Sequence, residues 1–156
     1  MTQPDKKKAA ASAHANVPYR IKILSQLLTR RLQRRLEPFD LTPTHFLVLR
    51  CLWKQDGLAI SAIGKKVQQV GGTMTGVIDR MEERGLIVRE RDKEDRRVWR
   101  ARLTEKGKEL NGRLPAVAAS AREQLLSGIS DKELELFADV LDRIIANANL
   151  DLTENQ

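Results

Sequence analysis

Two short helical segments, separated by a pair of glycines, constrain the fold of this chain more than any other feature. The spacing of apolar residues predicts one helix over residues 60–68 and a second over residues 73–84, with Gly71 and Gly72 between them. Gly85 follows the second helix, where a left-handed C-cap is usual. The residues predicted to face the core from the second helix are Met74, Val77, Ile78 and Met81. Two short helices joined by such a break are typical of a helix-turn-helix.

A basic hairpin is predicted immediately after the second helix. Residues 86–91 have β-branched character, residues 98–103 alternate apolar and basic side chains, and a polar tip lies between them. Arg96 and Arg97 lie in this tip. An arginine at such a tip can enter the narrow minor groove of a DNA duplex, beside a helix bound in the major groove. The alternative is a solvated charged turn without a binding role.

The front of the second short helix carries small polar residues. In a helix-turn-helix, this helix enters the major groove by its N-terminal end, where base edges can be distinguished by hydrogen bonds. Capping alone is the alternative explanation for Thr and Gly at a helix start. The predicted DNA contacts in and before this helix are Gln68, Gln69, Gly72, Thr73, Thr75, Gly76 and Arg80.

Helical patterns flank this central region on both sides. Apolar stripes within residues 21–36 and 134–145 would both be covered in a two-fold dimer, although they could also pack on each other within one monomer. The fold class predicted is mainly α with a small β-hairpin wing: a winged helix-turn-helix with helical dimerisation arms. The predicted regions are a basic flexible tail (1–16), a helical dimerisation region (17–40 and 104–148) and the winged helix-turn-helix (41–103).

Capping residues mark the predicted helix starts. Pro43 fits the first turn of the helix that precedes the helix-turn-helix pair, and Pro115 predicts a kink or break in the helix after the hairpin. Ser130 and Glu133 form a capping-box pattern at the start of the last helix. The predicted caps are Thr42, Ser61, Thr104 and Ser130.

Charge and composition favour a polyanionic partner and give no sign of catalysis. The net charge is +7, and the first 50 residues carry 10 Lys and Arg against 3 Asp and Glu. One cysteine and two histidines far apart in sequence do not make a metal site, and no nucleophile–base set appears. We therefore expect no enzyme activity and no cofactor. No apolar run approaches the ~20 residues of a membrane span, so a cytoplasmic protein with no membrane partner is expected.

Three sequence segments carry a resemblance to a known family. They are residues 73–87, Asp95-Arg96-Arg97, and Leu103-Thr104-Glu105-Lys106-Gly107. The last two match a wing signature of Asp-x-Arg, a short strand and Leu-Thr-x-x-Gly. On these residues, region 57–107 resembles the MarR (multiple antibiotic resistance regulator) family, and the resemblance extends over about residues 18–147.

The resemblance implies a homodimer that binds double-stranded DNA, and the two-fold symmetry would match a palindromic operator. The helix over 73–84 would read the major groove and the wing the minor groove. Arg97 would be the arginine at the wing tip, Asp95 its orienting partner, and Asp79 a further partner of a wing arginine. The usual role in the family is repression, relieved by a small phenolic or carboxylate ligand or by an oxidant.

Effector contacts follow less directly from the sequence. Arg20 could bind a ligand carboxylate bidentately, and His45 could line a pocket or simply hold a helix start. Cys51 is interpreted as a buried, inert thiol. The alternative functions are a non-specific architectural DNA-binding protein and a redox-responsive repressor that uses Cys51. The predicted contacts of a small aromatic effector are Tyr19, Arg20, His45 and Trp53.

Overall fold

The architecture is mostly helical, with one small antiparallel sheet. A computed structural model describes the backbone of residues 3–67 and 72–153 and the side chains of residues 16–67 and 74–149. Short 3-10 turns at Glu37–Phe39 and Leu110–Gly112 connect longer elements. The elements are α1 (Gln3–Leu36), α2 (Pro43–Lys54), β1 (Leu58–Ala59), α3 (Ile60–Lys66), α4 (Gly72–Glu83), β2 (Ile87–Arg91), β3 (Trp99–Leu103), α5 (Glu105–Glu109), α6 (Leu114–Leu126) and α7 (Asp131–Thr153). The predicted fold class is confirmed.

The first helix is longer than predicted. Residues 1–16 were expected to form a flexible tail, but α1 already begins at Gln3. The segment contains five alanines between residues 9 and 15 and no glycine. Alanine has the highest helix propensity, which accounts for the extension of the helix through this segment.

The chain divides into two compact units, residues 1–121 and residues 122–156. In the core of the first unit, α2, α3 and α4 pack together with the sheet. Leu36, Leu41 and Leu114 belong to the same buried cluster. All four residues predicted to face the core from α4 are buried, which confirms the predicted face of that helix. The buried residues from the three helices are Phe46, Val48, Leu49, Leu52, Ile63, Met74, Val77, Ile78 and Met81.

The predicted hairpin is present, but it belongs to a three-stranded sheet. β2 pairs with β3 from Ile87↔Leu103 to Arg91↔Trp99, and β1 pairs with the other edge of β3. The predicted Ser61 cap is wrong, because the chain passes directly from β1 into α3 and Ala59 occupies the cap position without a side-chain bond. A two-residue strand carries too little periodicity to be recognised in the sequence.

The other predicted helix caps are confirmed. Thr104 caps α5 by accepting the backbone N–H of Gly107, and Ser130 and Glu133 bond reciprocally at the start of α7. Gly85 has φ +65° at the end of α4, as predicted. The helix expected after Thr104 is broken before α6, and Pro115 lies in the first turn of α6.

His45 completes a reciprocal cap at the start of α2. The hydroxyl of Thr42 accepts the backbone N–H of His45 at 3.2 Å, and Nδ1 of His45 accepts the backbone N–H of Thr42 at 3.2 Å. His45 is buried, and this burial lowers its pKa below 6.5, with nearby Arg84 and Arg80 lowering it further. Since Nδ1 must lack a proton to accept this bond, the neutral ring stabilises the helix start.

We expect His45→Gln to reduce the loss of stability on mild acidification. A folded-state pKa below 6.5 means that the unfolded chain binds the proton more readily, so the free energy of unfolding falls as the pH drops through 6.5. One such group contributes a slope of at most about 1.4 kcal/mol per pH unit. Glutamine is a normal capping-box residue that does not titrate. Urea unfolding between pH 7.5 and 5.5 measures the difference, and His14→Gln is the control; equal pH slopes in wild type and His45→Gln would contradict this role.

Candidate nucleic-acid interface

The outer face of α4 is open to a partner. Thr75 and Arg80 are exposed, while the neighbouring core residues of the same helix are buried. A Cβ atom added at Gly76 would meet nothing within 4 Å, so this glycine leaves clear space on the helix surface. Gly72 is the first helical residue, and the Thr73 side chain, Gln68 and Gln69 lie outside the described parts. Their predicted DNA contacts stay predictions.

An aspartate that the sequence analysis missed organises the tip of the wing. Oδ1 of Asp92 accepts the backbone N–H groups of Glu94 and Asp95, at 2.8 and 2.9 Å, and Oδ2 pairs with the guanidinium of Arg100. Nη1 of Arg100 also donates to the carbonyl of Gly57 at 2.9 Å, which ties the wing to the loop after α2. The backbone bonds form an Asx-type turn, the one local signal that could have identified Asp92.

These bonds keep Asp92 ionised far into the acidic range. The backbone N–H of Asp95, the Arg100 side chain and the N–H of Glu94 lower the pKa of Asp92 from 3.8 to about 2. A carboxylate with a lowered pKa stabilises the folded state above its unfolded-state pKa and loses that effect as the pH falls towards 2. The ordering of the tip by Asp92 is therefore constant at neutral pH.

Asp95 shapes the turn instead of holding an arginine side chain. Its Oδ1 accepts the backbone N–H of Arg97 at 2.9 Å. The predicted pair between Asp95 and the Arg97 guanidinium is not formed, because the short carboxylate bonds to the backbone two residues ahead. The side chains of Arg96 and Arg97 form no ion pair with the described residues, and both arginines are exposed.

A second arginine braces the tip from the strand beside it. The guanidinium of Arg91 lies 3.9 Å from the ring centre of Trp99, its partner across the hairpin. Nη1 of Arg91 donates to the carbonyl of Arg96 at 2.6 Å. Arg91 thus makes both its cation–π contact and this hydrogen bond within the wing, and the hydrogen bond holds the backbone at Arg96.

The wing is joined to α4 by one arginine and two carboxylates. Nη1 of Arg89 lies 2.6 Å from Asp79, and its Nε and Nη2 contact Glu82 at 2.7 Å. The backbone N–H of Arg89 also donates to Glu82 and is the main cause of a lowered pKa at that carboxyl. The wing arginine that pairs with Asp79 is thus Arg89, on β2. This bridge sets the position of β2 against α4.

One cleft brings residues of α4 and the wing to the same surface. It has a volume of about 370 Å³ and lies between α3, α4 and the wing. Thr75 and Arg97 both line it, although they are far apart in sequence. Its walls are formed by Ile60, Ser61, Thr75, Ile78, Arg89, Arg97, Val98 and Trp99.

The four predicted effector contacts do not share this cleft. His45 is used in the cap of α2, and the indole N–H of Trp53 donates to the carbonyl of Gly107 at 2.9 Å. Tyr19 and Arg20 are exposed on α1, with Tyr19 63% exposed. Of the two roles considered for His45, the structure therefore favours capping the start of α2 over lining an effector pocket. Cys51 is only partly buried, which corrects the expectation of a buried thiol.

The described ranges hold neither a cluster of metal ligands nor a membrane-spanning helix. Within the described ranges, no three His, Cys, Asp or Glu side chains are grouped so that they could hold a metal ion. The helices of the same ranges contain no apolar stretch long enough to cross a membrane.

Known proteins are similar to this chain in sequence and in fold. The MarR family model matches residues 41–99. The HTH-type transcriptional regulator MhqR of Bacillus subtilis is 31% identical over 117 residues, which span 75% of this chain and 81% of that protein. A structure of the S. aureus MepR–DNA complex has a TM-score of 0.79 and 26% identity, covering 84% of this chain and 97% of that one. PcaV from Streptomyces coelicolor, in complex with its natural ligand, has a TM-score of 0.70 and 26% identity over 80% of this chain and 91% of that one.

We expect Asp92→Asn to loosen the wing tip without unfolding the chain. The variant loses the charge that pairs with Arg100 and weakens both backbone bonds, so the amides of Glu94 and Asp95 should exchange hydrogen faster. Glu94→Gln removes the same charge from an exposed position at the tip and serves as the control. Hydrogen exchange at pH 7 measures the effect. Unchanged protection in Asp92→Asn would show that the tip is ordered by other contacts.

Proposed function

Because the chain belongs to the MarR family of DNA-binding transcriptional regulators, we propose that it is a homodimeric repressor that binds a palindromic operator. The observation that carries this proposal is the cleft that joins Thr75 on α4 to Arg97 on the wing. A helix in the major groove and an arginine in the adjacent minor groove need such a common surface. The similarity to MepR, whose structure is a DNA complex, supports the same assignment.

The dimer is supported by apolar side chains that are exposed on two helices. On α7, Leu136 and Phe137 are 66% and 49% exposed, and on α1, Leu27 is 55% exposed. Large apolar groups in such number at a surface mark an interaction site, since their burial stabilises a complex. A two-fold dimer covers equivalent apolar faces on both copies and presents two DNA-binding surfaces to a palindrome.

The proposed effector is a small aromatic carboxylate or phenol. Tyr19 and Arg20 are both exposed on α1, so this helix offers an aromatic ring for stacking and a guanidinium that can bind a carboxylate bidentately. PcaV, which is similar to this chain, was solved with its natural ligand. An effector releases the repressor only if it binds the DNA-free conformation more tightly than the DNA-bound one.

The DNA-binding proposal is tested on an operator selected from random duplexes with the wild-type protein. We expect two chains per selected duplex, and a preference over random duplex of about 10³ or more at a stated salt concentration.

Arg97→Ala should weaken operator binding by about 1–3 kcal/mol and reduce the slope of log K against log salt by about one unit. Arg122→Ala removes an exposed arginine from α6 and is the control. No preference for any duplex would indicate an architectural DNA-binding protein, and unchanged affinity of Arg97→Ala would remove the wing from the mechanism.

The effector proposal is tested by a thermal-shift screen of aromatic carboxylates and phenols. A compound that binds the native state should raise the Tm of the wild type, and the same compound should weaken operator binding. Arg20→Ala should lose both responses, whereas Lys22→Ala, an exposed change two residues away on α1, should keep them. A full response in Arg20→Ala would show that the ligand lies elsewhere.

A further inference from the structure

A second cleft lies on the outer side of α2, where the end of α3 packs against it. It has a volume of about 170 Å³ and is called the basic cleft here. Three of its six lining side chains are apolar or weakly polar, and the other three are cationic. The lining residues are Leu47, Arg50, Cys51, Lys54, Lys66 and Val67.

The three cations of the basic cleft have no acidic partner. No carboxylate lines the cleft, and Arg50, Lys54 and Lys66 form no ion pair with any residue that the structure describes. The guanidinium of Arg50 lies 5.9 Å from the ring centre of Phe46, at the outer limit of a cation–π contact, and Arg50 is exposed, so its charge stays available to an anion. Three like charges around one small cleft repel each other, and a bound anion relieves this repulsion.

The position of the basic cleft relates it to the recognition helix. The cleft between α3, α4 and the wing is lined by the first residues of α3, Ile60 and Ser61, whereas the basic cleft is lined by the last residue of α3, Lys66. The first helix of a helix-turn-helix crosses the DNA backbone. Lys66 is six residues before Gly72, so extended chain would separate the two by about 20 Å at most. The major groove is about 12 Å wide, so the phosphates that border it lie at a similar distance from a helix bound in it.

We propose that Arg50, Lys54 and Lys66 bind the phosphate backbone of the operator, at the end of α3 away from the wing. The proposal rests on the DNA-binding function proposed above and adds a contact surface outside α4 and the wing. Phosphate contacts of this kind position the protein on the duplex and carry no sequence information. The basic cleft therefore contributes to the affinity for every duplex and not to the preference for the operator.

The salt dependence of DNA binding tests this surface. Each phosphate contact contributes about 0.9 to the slope of log K against log salt, so Arg50→Gln/Lys54→Gln/Lys66→Gln should reduce the slope by about 2.7. Affinities for operator and random duplex should fall by the same factor. The control Lys22→Gln/Arg122→Gln/Lys132→Gln removes three exposed charges from α1, α6 and α7. Thermal unfolding shows whether both triple variants are folded. If the first is not, Lys54→Gln alone is tested, and its salt slope should fall by about 0.9.

Alkylation of the single cysteine provides an independent test of DNA binding at the basic cleft. Cys51 is the one cysteine of the sequence, it is partly exposed, and it lines the basic cleft together with the three cations. A phosphate backbone bound by these cations would cover the thiol, so saturating operator should slow alkylation by iodoacetamide severalfold. The same mixture at a salt concentration that prevents binding is the control. Equal alkylation rates with and without bound operator would overturn the proposal.

The results of these experiments distinguish failure of the basic-cleft proposal from failure of the proposed DNA-binding function. A wild type that prefers its operator, combined with an unchanged salt slope in the triple variant, overturns the basic-cleft proposal alone. A wild type without DNA binding overturns both. Stabilisation of the wild type, but not of the triple variant, by inorganic phosphate, together with an unchanged salt slope, would assign the cleft to a free anion and also overturn the proposal.

Discussion

The end of α4 is the constraint on which the rest of the DNA-binding unit depends. Gly85 adopts a left-handed conformation there, and its carbonyl accepts the hydroxyl of Thr104 at 2.6 Å, while Leu86 accepts the backbone N–H of Thr104 at 3.1 Å. Gly107 packs so closely that a Cβ atom would clash with the carbonyl of Leu86, and the carbonyl of Gly107 accepts the indole N–H of Trp53. Three segments distant in sequence thus meet at one helix end, which explains physically why a Leu-Thr-x-x-Gly motif belongs to this fold.

The arginines of the wing divide into an internally bonded group, to which Arg102 also belongs through its pair with Glu90, and an exposed group. Arg89, Arg91 and Arg100 are used inside the protein, where they bridge α4, stack on the hairpin and anchor the tip. Arg96 and Arg97 remain exposed because the tip below them is already fixed by Asp92 and its neighbours. Rigid support matters, since a backbone that is already ordered loses less conformational entropy when these arginines bind. The hairpin is therefore a small scaffold that presents Arg96 and Arg97.

Local sequence signals predicted the features that depend on neighbouring residues. The apolar stripe of α4, the glycine after it and the Thr42 cap each follow from spacing or backbone conformation within a few residues. The sequence did not reveal β1, the Nδ1 bond of His45 or the role of Asp92. β1 exists because β3 pairs with it 43 residues later, and Arg100 reaches Gly57 across the same separation. Such partners are known only once the chain is folded. Asp95 does contact Arg97, but it accepts the backbone N–H of that residue and not its guanidinium.

The proposed dimer explains how a small ligand could control so many charges. Each chain offers a limited number of free cations around α4, and a two-fold pair doubles the number of phosphates contacted. Binding of the second half-site is then intramolecular, so the total affinity depends on whether both surfaces fit the duplex at once. A small change in their spacing removes one half-site and most of the affinity, without altering a single contact at the other. The exposed apolar faces of α1 and α7 would thus set the spacing of the surfaces that bind the DNA.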